Sequence, residues 1–119
     1  MKSVRTLTIA SFLLSIALMP ALAATITAAD AKNHIGEQAT VCGIVASEHT
    51  ATSSRGEPTF INLDAAYPNQ VFTILVWGDD RAAVGTFPST GAHVCVTGLI
   101  KDYRGVPEIV VRSSGQLSH

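Results

Sequence analysis

Gly36-x-x-Ala39-x-Val41-x-Gly43-x-Val45 recurs, position for position, as Gly91-x-x-Val94-x-Val96-x-Gly98-x-Ile100. Both stretches are rich in β-branched residues, whose side chains suit a pleated surface. The recurrence is too short and too widely spaced for a solenoid repeat. Two equivalent strands, each bent at a mid-strand glycine, Gly43 and Gly98, account for it better. A small sheet that curls into a closed or nearly closed barrel needs such bends.

Working outward, the first of these strands covers residues 39–46 and the second covers 93–100. Between them, residues 59–63 and 71–77 read as two more strands, the latter apolar enough to be buried on much of both faces. A fifth strand is expected at 108–112. Residues 47–58, with Ser53-Ser54-Arg55-Gly56, read as a loop or a flexible hairpin tip, and 101–107 as the connection into the last strand. Gly78-Asp79-Asp80 opens a short helical or irregular connection, in which an aspartate serves as a cap more naturally than as half of an acid–base pair. Before the barrel, residues 24–35 predict a short helix with Thr27 at its N-cap and Gly36 as its stop. The polar tail, 113–119, is expected to be loose. The domain proper is therefore 36–112.

The N-terminus has the three parts of a cleavable secretory signal. Lys2 and Arg5 precede an uncharged apolar run, and Pro20 breaks that run ahead of Ala21-Leu22-Ala23. Cleavage is expected after residue 23, leaving a periplasmic or secreted protein with no membrane span. Without residues 1–23, six basic residues face nine acidic ones. That balance gives no global attraction for phosphate backbones or anionic lipid. The two cysteines, Cys42 and Cys95, then lie in a compartment that permits disulfides. An even count in a small exported domain predicts one bridge, against the alternative of two buried thiols. Period two supports the bridge. Each cysteine is opposite in parity to its strand's Val and Gly residues, so antiparallel pairing can bring both sulfurs to one face.

Five strands, with a connection between the third and fourth, is the order of the OB-fold, a partly open Greek-key barrel. Residues 35–112 resemble the small exported bacterial OB-fold domains related to the anticodon-binding type of nucleic-acid module. The resemblance is carried by Val41-Cys42-Gly43-x-Val45, Pro58-Thr59-Phe60-Ile61-Asn62-Leu63, Tyr67-Pro68-Asn69-Gln70-x-Phe72-Thr73, Trp77-Gly78-Asp79-Asp80-Arg81, Val94-Cys95-Val96-Thr97-Gly98-x-Ile100 and Tyr103-Arg104-Gly105-x-Pro107-x-Ile109. It implies an all-β, five-stranded barrel with one or two short helices. It also implies single-stranded DNA or RNA as ligand, met by the middle strands and the loops at 47–58 and 101–107.

On that footing the candidate contacts are Arg55, Phe72, Lys101, Tyr103 and Arg104. An aromatic beside an Arg suits base stacking with phosphate pairing. Each has a plainer reading: Tyr103 as a cap over the barrel mouth, Arg55 as a solvated loop residue, and Trp77 as the closure of a barrel end. The alternative function is a structural module, or one that meets an envelope protein or glycan. His34, His49, His93 and His119 have no i, i+4 spacing, so no metal site is expected, and no serine or cysteine sits in a nucleophile elbow. Neither a catalytic group nor a cofactor is expected.

Overall fold

The computed structural model describes residues 3–16 and 24–119. Residues 3–16 have no regular secondary structure and are exposed, and no helix among the described residues is long and apolar enough to cross a membrane. The expected cleavage site at 21–23 lies outside the described residues.

The described residues form eight strands: β1 (Ala24–Thr27), β2 (Gln38–Thr50), β3 (Thr59–Leu63), β4 (Phe72–Val76), β5 (His93–Leu99), β6 (Lys101–Tyr103), β7 (Val106–Val110) and β8 (Leu117–Ser118). Long β2 runs antiparallel to β5 through its first half and to β3 through its second. β3 pairs with β4, β4 runs parallel to β7, and β6 continues β5 into a hairpin with β7. β2, β3, β4, β5 and β7 thus make the five-stranded Greek-key barrel of an OB-fold. Its core is alternate-residue: Val41, Val45, Ile61, Leu63, Phe72, Ile74, Val94, Val96 and Ile109 are all fully or almost fully buried.

The recurrent glycine pattern marks a local pseudo-twofold axis. Val41 and Val96 face each other across the β2–β5 ladder. Gly36 N donates to Ile100 O at 2.8 Å, and Gly91 N donates to Val45 O at 2.7 Å. Ile100 N and Val45 N return the bond to Glu37 O and Ala92 O, both at 2.9 Å. Gly36 and Gly91 share a φ of +89°, which glycine adopts without steric penalty. Gly98 matters for a different reason: a Cβ there would lie 2.7 Å from Cγ2 of buried Ile109. Its bare backbone lets β7 close against β5.

That seam is where the tail departs from expectation. β5 and β7 pack together with no ladder between them. The Gln116 amide fills the gap, its Nε2 donating to Thr97 O on β5 and Val110 O on β7, each at 3.1 Å. Its Oε1 accepts from Arg112 N at 2.7 Å and Ser113 N at 3.2 Å, and β8 then pairs with β5. A polar tail reads as loose by composition; here one side chain satisfies backbone groups that the barrel leaves unpaired.

The expected helix at 24–35 is also different. β1 runs parallel to the start of β2, and only Ala28–Asn33 is helical, as a 3-10 segment. Thr27 does cap it, accepting from Asp30 N at 3.2 Å. Ala28 and Ala31 enter the core, where a longer side chain would not fit a packed interior. After β4, Gly78–Asp80 forms a 3-10 turn and α1 (Arg81–Val84) a single helical turn; Asp80 occupies its N-cap but makes no side-chain capping bond.

Cys42 and Cys95 form the expected disulfide. They are direct partners in the β2–β5 ladder, with Cα atoms 4.1 Å apart.

Candidate nucleic-acid interface

β2 continues to Thr50, through residues expected to be loop, and a bulge between Val45 and Ser47 shifts its register by one. A one-residue shift exchanges the faces of every later side chain. Val41 and Val45 point into the core, whereas Ser47 and His49 face outward beside Asn62 and Phe60 of β3. This bulge builds one wall of a groove of about 750 Å³ on the outer face of β2, β3, β4, β6 and β7.

A transverse polar row forms the groove floor. Ser47, Asn62, Thr73, Glu108 and Lys101 are successive register partners across the five strands. Asn62 Nδ2 donates to Ser47 Oγ at 3.0 Å, and the Thr73 hydroxyl donates to Asn62 Oδ1 at 3.1 Å. Glu108 is only 7% exposed. Burial pushes its carboxyl up from the ordinary range, and the Lys101 ammonium beside it pulls partly back.

Aromatic rings stand around this floor. Phe60 is half-buried within it, while Tyr67 and Tyr103 at its margins are 74% and 51% exposed. Tyr67 follows from the turn after β3, where its N–H donates to Ser47 Oγ at 3.3 Å and its bond to Pro68 is cis. Tyr103 and Val106 are register partners, so Arg104-Gly105 is a two-residue hairpin loop. Both loop residues have positive φ, +51° and +87°, the pattern of a type I′ turn. Asn or Gly normally fills the first position. Here it is an arginine, whose guanidinium lies 5.3 Å from the centroid of the Tyr103 ring.

The structure divides the expected contacts. Tyr103 and Arg104 line the groove; Lys101 is the register partner of Glu108 but lines a separate recess instead. Arg55 does not line the groove. Its turn is tied instead to the end of β4: Gly78 N donates to Gly56 O at 2.8 Å, and the Arg81 guanidinium donates to Glu57 O. The Trp77 ring covers Gly56 so closely that a Cβ there would lie 2.9 Å away. Arg112 lies with Gln116 in a separate recess. Phe72 requires a correction, because it is fully buried in the core. Its strand is apolar on both faces, so composition alone did not show that 72, 74 and 76 point inward while Thr73 faces the groove.

Sequence reasoning missed Phe60, Asn62, Gln70, Thr73 and Glu108. Three of these carried a usable signal: Phe60 and Asn62 alternate with Ile61 and Leu63, and Glu108 is a lone charge among apolar strand residues. His93 comes close to the disulfide, with its ring and both sulfurs within 4.8 Å of one another, but the sulfurs are bonded to each other.

Glu108 also gives a stability prediction. A carboxyl whose folded value is raised binds more protons folded than unfolded, so stability falls as pH rises from the unfolded value through the folded one. Glu108→Gln should therefore raise Tm at neutral pH, and the gain should shrink as the solution is acidified below the unfolded value. A thermal scan across pH 3–8 with a gain that is constant or reversed would refute the buried-charge account.

No family model matches the chain, and no curated protein matches it. Among solved structures, the crystal structure of the S. pombe Stn1-ten1 complex matches at a TM-score of 0.49 and 19% identity, over 68% of this chain. The matched region spans 56% of that structure's chain. At that level the likeness says nothing about a ligand. The OB-fold here rests on the strand order and register described above.

Proposed function

We propose that this protein is an exported, non-catalytic OB-fold module that binds single-stranded nucleic acid across the outer groove. The observation that carries this reading is the Tyr103–Arg104 hairpin tip. An arginine kept in a left-handed turn position, where Asn or Gly would be easier, places a cation over an exposed ring at the groove margin. With Phe60 and Tyr67 opposite, the groove offers stacking surfaces above a polar floor, the combination that holds unstacked bases.

Export is supported by the cross-strand disulfide, which persists in oxidising compartments, the periplasm or the extracellular medium. The exposed apolar side chains of residues 3–16, such as Leu7, Phe12 and Leu13, fit a segment that is not part of the folded barrel.

Affinity rests more on stacking than on charge. Among the described residues Arg104 is the Lys or Arg that lines this groove, with Lys101 at the end of its register row, and Glu48 and Glu108 oppose them. Two phosphate contacts predict a log K against log salt slope of about −1.4 for a single strand. Fluorescence anisotropy with labelled DNA and RNA oligomers, at low and physiological salt, tests this. Tyr103→Ala with Arg104→Ala should weaken binding roughly 10- to 100-fold, since stacking alone is worth about 1–3 kcal/mol per base. The two carboxylates favour a second reading, a neutral envelope glycan or a protein partner stacked on the same rings. Absence of oligomer binding at low salt would select it.

A further inference from the structure

The polar groups of the groove floor are not balanced. The Thr73 hydroxyl proton is used on Asn62 Oδ1, and an Asn62 amide N–H is used on Ser47 Oγ. Two acceptors also border the groove. Gln70 lines the groove, and its Oε1 is buried without a hydrogen-bond partner among the described residues. The Glu108 carboxylate lines it too, 7% exposed, with the Lys101 ammonium as its neighbouring charge. A buried acceptor left unpaired costs the free energy of its lost hydration, and a bound donor recovers it.

We infer that this floor selects ligands that donate hydrogen bonds, so that among single strands it prefers guanine, then cytosine and adenine, over thymine or uracil, with Glu108 as the selecting residue. The inference rests on the single-strand reading of the groove. Guanine N1–H and N2–H point the same way and match the two oxygens of one carboxylate. Cytosine and adenine each offer one exocyclic amine, and an acidic side chain accepting from cytosine N4 is a recurrent pairing. Thymine and uracil present two carbonyl oxygens beside their single N–H, and these would face the carboxylate.

The test uses the purified protein and short dT oligomers carrying G, C, A or inosine at alternate positions. G-containing strands should bind about tenfold more tightly than all-T strands. Inosine, which lacks the N2 amine, should lose most of that advantage. Glu108→Gln places an amide donor where one acceptor stood, and should reduce the G-over-T ratio to under twofold without loss of folding. Gln70→Ala should reduce the ratio less. Equal affinity for all strands, or an unchanged ratio in Glu108→Gln, overturns this inference while leaving single-strand binding in place. No binding to any strand overturns the single-strand reading and this selectivity with it.

Discussion

Replacing Cys42 and Cys95 together with alanine should lower the stability of the domain by about 4 kcal/mol. The bridge closes a loop spanning a sequence separation of 53 residues, and the reduced chain regains that loop's entropy when unfolded. In a domain of this size the loss corresponds to a fall in Tm of roughly 20 °C. Because the two residues are already ladder partners, the double variant should keep the β2–β5 register and lose stability rather than shape. Calorimetry of the two proteins measures it. A shift below about 5 °C would mean that the bridge only decorates a ladder already secure without it. Two alkylatable thiols in native protein purified without reductant would deny the bridge itself.

Phe72→Ala is the second large effect, about 3–5 kcal/mol of lost stability. Phe72 has no exposed surface and belongs to the core that Ile61, Leu63 and Ile74 complete. Truncating it leaves a cavity that a closed barrel cannot easily collapse around. Binding by the molecules that remain folded should be unchanged, because the side chain faces away from the groove. Urea unfolding followed beside anisotropy separates the two quantities. Weakened binding with undiminished stability would place Phe72 on the ligand face after all.

The barrel was legible because its signal is carried by short-range pattern. Glycines in two equivalent strands, β-branched runs and the parity of two cysteines all report on local backbone geometry, and the structure has each of them where that geometry requires. The groove was less legible. Its wall depends on a bulge at residue 46, and a one-residue register shift has no signature in composition. The side taken by Phe72 depended on tertiary choice within a run apolar on both faces. Gln116 shows the same limit: its local sequence is that of a free tail, and its role appears only when β5 and β7 stand beside it. Tyr103 and Arg104 were visible because a turn with Gly105 exposes its tip wherever the hairpin lies.

β1 and β8 flank the half of the sheet formed by β5 and the first part of β2, whereas the groove lies on the half formed by β3, β4, β6, β7 and the rest of β2. Both ends of the folded domain are thus anchored away from the groove. A tether joined at residue 24 or at residue 119 would hold the module with its groove turned outward. Surface immobilisation through either end, or fusion in series, should leave the groove unobstructed, so such modules could be strung along one polypeptide without shading one another.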